Sequence, residues 1–226
     1  MATRLEPSYK GAEAVLYTVE ILGKKFIVKH RLSKPYRHPD FDKFFRFTRT
    51  RAEAKVLVDL YLSGVNVPAP LFVDLDNYVI IMEHIDGVKL IEVIEKLSIE
   101  ALSRIFYELG RLASIMHSKR IYHGDFTLGN ILITPTQKVY LIDFGLSGYS
   151  SDIEEYAIDI HLLARNLNAI VPEKKDLVME YFWRGYREYN PELYSRVYER
   201  VKEVAMRGRY VEERLSRKIS SDRYVE

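Results

Sequence analysis

The chain contains no cysteine among its 226 residues. Disulfides and thiolate metal sites are therefore excluded, and this fits a reducing cytoplasm, where the protein is expected to reside. No stretch reaches the roughly 18 consecutive apolar residues of a membrane span. The first residues, MATRLEPSYKGAEAVLY, lack an apolar signal core and read as part of the fold. Internal repeats and low-complexity segments are absent. So is the G-x-x-x-x-G-K-[ST] pattern of P-loop nucleotide hydrolases. What remains is a core-forming composition: 47% of residues are hydrophobic, enough for one domain or two close-packed lobes.

The formal charge of +2 hides an asymmetry. Residues 1–60 hold 13 Lys/Arg against 7 Asp/Glu, residues 61–195 hold 12 against 19, and residues 196–226 hold 9 against 6. Both ends are basic and the middle is acidic. Basic segments attract polyanions such as nucleotides or RNA.

Residues 14–21 and 26–31 read as a hairpin, and 33–39 (SKPYRHP) as a proline-bounded loop. Asp40 is expected to cap a helix from about 41 to 63, with Phe41, Phe44, Phe45, Val56, Leu57, Leu60 and Tyr61 as its apolar positions. Gly64 stands where a helix ends. Strands at 70–74 and 78–84 follow. After Gly87 the pattern turns helical, at 98–118, 152–170, 173–189 and 191–206, interrupted by short strands at 131–134 and 138–143. The expected fold class is α+β, with two lobes. A small β-rich N-terminal lobe with one long helix (1–86) joins a helical C-terminal lobe (87–206). A charged, mobile tail (207–226) follows.

The central chemical signal is His123-Gly124-Asp125-Phe126-Thr127-Leu128-Gly129-Asn130, then Asp143-Phe144-Gly145. Asp125 and Asn130 end one tight loop, and the hairpin that follows returns Asp143 beside Asn130. Mg²⁺ takes hard oxygen ligands, usually one or two carboxylates plus substrate phosphates. Asn130 and Asp143 supply such ligands, leaving Asp125 to orient or deprotonate a hydroxyl. Gly145 is expected to permit a sharp turn after the metal ligand. The spacing matches the protein-kinase signature. Lys29, on a strand, and Glu53, on the next helix, would form the ion pair that holds a lysine over ATP phosphates. Lys10, Gly11, Ala12, Glu13 and Ala14 would cover the phosphates with backbone N–H groups. Met82, Glu83 and Ile85 would form the adenine-binding hinge. Asp159 is a candidate anchor for the His123–Asp125 backbone.

The chain resembles the small atypical serine/threonine kinases of the KEOPS complex, called PRPK in animals, over nearly its whole length. The resemblance rests on Lys29-His30-Arg31, Lys34-Pro35-Tyr36-Arg37-His38-Pro39, Arg51-Ala52-Glu53-Ala54, the two motifs above, and Arg207-Gly208-Arg209. It implies a minimal kinase-like fold with a shortened activation segment, and ATP and Mg²⁺ as cofactors. It also implies autophosphorylation and ATPase activity in service of tRNA N6-threonylcarbamoyladenosine (t6A) formation at position 37. The implied partners are the sugar-kinase-like t6A synthase subunit, a small regulatory subunit and, through the complex, tRNA. Only LSGYSSD separates the Asp143 motif from the next helix, and no Ala-Pro-Glu follows. Gly124 stands where most protein kinases carry arginine. Two alternatives are a small-molecule kinase of the aminoglycoside or choline type, which shares H-G-D-x-x-x-x-N, and a catalytically dead kinase-like scaffold.

Residues 207–223 carry six Lys/Arg. If they neutralise tRNA phosphates, deleting residues 210–226 lowers tRNA affinity. It also lowers the log–log salt slope, by roughly one unit for each phosphate no longer neutralised, and spares ATP binding. Unchanged affinity and slope in a salt titration would make the tail a solvated terminus.

Overall fold

The computed structural model describes residues 7–11 and 13–222, with side chains as far as Arg207. Strands β1 (Tyr9–Lys10), β2 (Val15–Ile21), β3 (Lys24–His30), β4 (Pro70–Asp74) and β5 (Val79–Glu83) form one antiparallel sheet in the order β1-β2-β3-β5-β4. Helix α1 (Pro39–Leu62) lies between β3 and β4 in the chain. After residues 84–87 come β6 (Val88–Lys89), the short α2 (Leu90–Val93) and α3 (Ile99–Ser118). Next are β7 (Ile121–Tyr122), β8 (Ile131–Ile133), β9 (Val139–Leu141) and β10 (Gly148–Tyr149). Three helices close the chain: α4 (Ile153–Ile170), α5 (Pro172–Tyr189) and α6 (Pro191–Asp222). This is an α+β fold, with an antiparallel N-terminal sheet and a helical C-terminal part. Among the described residues no helix is long and apolar enough to cross a membrane.

Local chemistry sets the ends of α1. His38, not Asp40, occupies the N-cap position, without a capping side-chain bond, and Pro39 starts the helix. Proline fits there because its missing N–H would have no intrahelical partner. Asp40 and Asp42 instead sit in the first turn, where carboxylates favour the positive end of the helix dipole. Gly64 adopts φ 75° just beyond the C-terminus. The buried stripe is Thr50, Glu53, Ala54, Leu57 and Leu60, with Val56 beside it. Of the apolar positions expected on this helix, Phe41, Phe44 and Tyr61 face solvent.

A single apolar cluster runs from Leu57 and Leu60 of α1 and Ile80 of β5 to Leu109 of α3, Ile160 of α4 and Phe182 of α5. Each such fully buried side chain contributes about 1.5–3 kcal/mol. α3 starts at Ser98, whose hydroxyl accepts a bond from Ala101 N–H. α6 continues past the expected end at 206 to Asp222. The expected tail is thus helical to that residue, and residues 223–226 lie outside the described residues.

α3 and α5 meet at two glycines. A Cβ on Gly110 would lie 1.9 Å from the Phe182 carbonyl oxygen, and one on Gly185 would lie 2.0 Å from that of Tyr107. The two backbones pack where side chains would stand. Gly110→Ala therefore forces the helices apart and lowers stability by roughly 3 kcal/mol or more, read by urea unfolding. Wild-type stability in this variant would contradict the packing.

Candidate active site

Three segments converge between the sheet and the helical part. β3 delivers Lys29, α1 delivers Glu53, and the residues after β9 deliver Asp143. Lys29 Nζ donates to Glu53 Oε1 at 2.6 Å and to Asp143 Oδ1 at 2.7 Å. Burial alone would depress the Lys29 pKa. The carboxylates of Glu53 and Asp143 outweigh it and raise the pKa, so Lys29 is a fixed cation. Asp143 responds in the opposite sense: burial would raise its pKa, but Lys29 pulls it below the ordinary carboxylate value. The Asp143 side chain remains 57% exposed, open to a ligand, whereas that of Lys29 is only 8% exposed.

Asn130 joins Asp125 on the other side. Its Nδ2 donates to the Asp125 carbonyl at 2.9 Å and to Asp125 Oδ2 at 2.8 Å. Both bonds use the amide nitrogen, which leaves the amide oxygen to serve as a cation ligand. Ile142 N–H donates to the Asn130 carbonyl at 3.0 Å, fixing the step from β9 to Asp143 against the loop.

Asp143 itself carries the strained backbone, with φ 61°. The sharp turn expected at Gly145 follows it: Gly145 and Leu146 are its central residues, and Ser147 N–H donates to the Phe144 carbonyl at 3.1 Å. A Cβ on Gly145 would lie close to Asp143 Oδ1, at 3.2 Å, and in ordinary contact with Arg31 Nη2 at 3.4 Å and Lys29 Nζ at 3.6 Å. A non-glycine residue held at positive φ is uncommon, and such outliers gather at functional sites.

The loop before Asp125 is held from below by α4. Buried Asp159 accepts from His123 N–H at 2.6 Å and from Gly124 N–H at 2.8 Å. Seven residues along the same helix face, Asn166 Oδ1 accepts from Leu128 N–H at 2.9 Å. Asp125 N–H donates to His123 Nδ1, so the ring proton sits on Nε2 and is donated to the Ile142 carbonyl. Burial keeps this imidazole neutral, lowering its pKa against the pull of Asp159, Asp143 and Asp125. Gly124 has φ 78°, and a Cβ there would lie 2.3 Å from the Leu146 carbonyl oxygen. The segment after Asp143 thus runs directly over the position where most kinases carry arginine.

That segment is pinned along its length. Gly148 and Tyr149 pair with Tyr122 and Ile121, and Ser150 N–H donates to the Arg120 carbonyl. The Tyr149 hydroxyl donates to Asp59 on α1 at 2.6 Å, and burial and that carboxylate push the Tyr149 pKa up.

Lys10 ends β1, exposed, and Gly11 N–H donates to the Ala14 carbonyl at 2.9 Å, ahead of β2. Ala12 lies outside the described residues. Glu13 lies at a bend, and Ala14 is buried just before β2. Met82 and Glu83 close β5 opposite Ile27 and Phe26, and Ile85 lies in the connection to β6. Among the described residues these positions make no hydrogen bond or ion pair with Lys29, Glu53 or Asp143.

Sequence reasoning missed Arg31, whose Nη2 donates to the second Glu53 oxygen at 2.6 Å. It also missed Arg49, which donates to the Gly145 carbonyl at 3.2 Å. The signal for Arg31 was strand alternation, which puts it on the Lys29 face. The specific stretch from Lys34 to Pro39 is organised by buried Asp42, which takes bonds from Lys34 N–H and Arg46 Nε and faces Arg37 at 3.6 Å.

No group of three or more His, Cys, Asp or Glu among the described residues could hold a metal by itself. One exposed carboxylate and one amide oxygen beside a buried lysine suit Mg²⁺, which binds largely through phosphates. The donor set therefore fits an ATP-bound magnesium ion.

Fold and site together define a minimal kinase-type enzyme. A RIO-domain profile matches residues 24–172. The chain is 38% identical over 210 residues to the KEOPS complex subunit Bud32 of Pyrococcus abyssi, covering 90% of this chain and 95% of that protein. It is 41% identical over 204 residues to a probable bifunctional tRNA threonylcarbamoyladenosine biosynthesis protein of Methanospirillum hungatei, covering 90% of this chain and 36% of that protein. The corresponding protein of Methanosphaera stadtmanae is 37% identical over 202 residues, again with 36% of its length covered. The chain thus spans about a third of these bifunctional relatives. The chain belongs to the RIO-domain family, as a Bud32-type KEOPS kinase.

Neutral His123 makes a prediction for acid stability. Its folded pKa lies below the ordinary 6.5, so on acidification the unfolded chain binds a proton that the folded chain refuses. Its contribution is present above about pH 6.5 and is lost as pH falls towards the depressed folded value. In urea titrations between pH 7 and 5, His123→Phe should flatten the loss of stability. An unchanged pH slope would contradict the assignment.

Proposed function

We propose that this protein binds Mg²⁺-ATP between its two lobes and transfers or hydrolyses the terminal phosphoryl group. It does so as the kinase component of a cytoplasmic KEOPS complex that forms t6A at position 37 of tRNAs. The observation that carries this reading is Lys29 bridging Glu53 and Asp143, with Asp125 and Asn130 joined to each other on the other side of the site.

When bound, the magnesium ion would neutralise charge on the phosphates, with Asp143 and the Asn130 amide oxygen as its protein ligands. Lys29 positions the phosphates, and Glu53 keeps Lys29 in place. Asp125, its backbone fixed through His123, Gly124 and Asp159, orients the attacking hydroxyl or water and accepts its proton. The Gly11–Ala14 segment covers the phosphates, and the 82–85 stretch receives adenine. The pinned, short segment after Asp143 offers little platform for a peptide. This favours serine or threonine autophosphorylation and ATP hydrolysis over phosphorylation of many peptides.

Two observations support assembly with other subunits. The bifunctional relatives carry about two thirds of their length beyond this chain's match, so a second component is joined covalently there. The partner proposed for this chain is the sugar-kinase-like t6A synthase subunit. Exposed Phe41, Phe44 and Phe47 on α1, and Leu71 and Phe72 on edge strand β4, offer apolar surface to a further subunit such as the small regulatory one.

Mutation of the site checks the enzymatic part. Asp143→Ala abolishes Mg²⁺-dependent ATP turnover with the fold intact. Asp125→Ala spares ATP binding and lowers turnover by roughly 10²–10⁴-fold. Near-wild-type turnover in either variant, with binding followed by calorimetry, would overturn the reading.

A further inference from the structure

Lys29 and Arg31 stand two residues apart, on one face of β3 and its extension. The pairing continues past the last strand residue, because Arg31 N–H donates to the Tyr78 carbonyl at 3.1 Å. The two cations divide one carboxylate. Lys29 Nζ takes Glu53 Oε1 and Arg31 Nη2 takes Glu53 Oε2, each at 2.6 Å. The Arg31 and Glu53 side chains are 1% and 2% exposed. Arg31 commits its Nη2 to Glu53, while its Nε and Nη1 are buried with no partner among the described residues. Unpaired buried donors are destabilising, and an apolar side chain would fill the same space without that penalty. Packing therefore does not account for a guanidinium here; what it does to Glu53 does.

We propose that Arg31 is a positioning residue for phosphoryl transfer: it holds the second oxygen of Glu53, so that α1 stays docked when Lys29 leaves Asp143 for the nucleotide. This rests on the kinase reading above. Lys29 serves two carboxylates at once. A metal on Asp143 would compete with Lys29 for this carboxylate and free Lys29 to turn towards the phosphates. A Glu53 tied only to Lys29 would be tethered by one bond to a side chain that moves. Arg31 supplies a second bond from a rigid strand.

In protein kinases generally, the position of this helix is set by phosphorylation of the activation segment. Here that segment is short, and its backbone lies where the partnering arginine would stand, over Gly124. An anchor within the N-terminal lobe replaces the switch. Arg49 on the Gly145 carbonyl and Tyr149 on Asp59 fasten the same helix at two further points.

Steady-state ATP turnover by the full chain tests this, with Arg31→Met, Arg31→Lys, Glu53→Gln and the Arg31→Met/Glu53→Gln pair. A lysine-acylating acyl-phosphate derivative of ATP reports in parallel on whether Lys29 reaches the phosphates. Arg31→Met is expected to lower kcat by about 10–100-fold while KM for Mg²⁺-ATP stays within about threefold. Labelling of Lys29 should fall with kcat. Arg31→Lys should recover most of the activity, because a single N–H carries the contact. In the Glu53→Gln background, Arg31→Met should cost little more, as expected of two residues acting as one unit. Should Arg31→Met alone not fold, the double variant removes both buried charges and reads the same coupling by matching Glu53→Gln. Wild-type kcat and labelling in Arg31→Met, or an equal fractional loss in both backgrounds, would overturn the proposal. A wild type that neither turns over Mg²⁺-ATP nor takes the label would overturn the kinase reading, and the proposal with it.

Discussion

The Glu53 carboxylate is the point on which the site depends. It is buried, negative and shared by two cations from one strand. Removing one partner of such a buried group costs about 3–5 kcal/mol, because the other charge is left uncompensated. That penalty keeps α1 placed against β3, and the placement sets where Lys29 stands. Lys29 in turn meets Asp143, the residue that bears the strained backbone. The N-terminal sheet, the long helix and the loop after β9 are thus tied through four charged groups, two of each sign.

The helical part contributes a different kind of constraint. Its chemistry-bearing loop has little regular structure of its own. Asp159 and Asn166 of α4 supply acceptors for backbone N–H groups that would otherwise be buried without partners. Neutral His123 then passes that fixed geometry on to Asp125 and to Ile142, next to Asp143. The close glycine contact between α3 and α5 completes a rigid base beneath the loop. One lobe places the cation and the other places the carboxylate and amide oxygens.

Much of this was legible in the sequence because it depends on short spacings. Asp125, Asn130 and Asp143 fall within nineteen residues, on a loop and a hairpin whose geometry follows from the chain. The longer helices and the main sheet strands follow from apolar periodicity. What was not legible depends on contacts that periodicity does not encode. The two-residue strands β1, β6, β7 and β10 are too short to carry a pattern. Arg31 reads as surface because arginine is rarely buried, although alternation places it beside Lys29. Gly145 makes the turn that the sequence suggests, but the positive φ falls on Asp143, which no sequence signal marks. Asp40 suggests a cap, but Pro39 already starts the helix. The charged composition after 206 suggests a free tail, while the helix tolerates Gly208 at a cost of about 1 kcal/mol.

A crystal structure of the protein with Mg²⁺ and a non-hydrolysable ATP analogue bears most directly on the central claim, that Glu53 anchors a pre-assembled site. The account predicts that Asp143 exchanges Lys29 for the metal, Lys29 reaches the phosphates, and both bonds to Glu53 persist with α1 unmoved. Displacement of α1 with rupture of the Arg31–Glu53 pair, or a bound nucleotide that leaves Lys29 on Asp143, would contradict it.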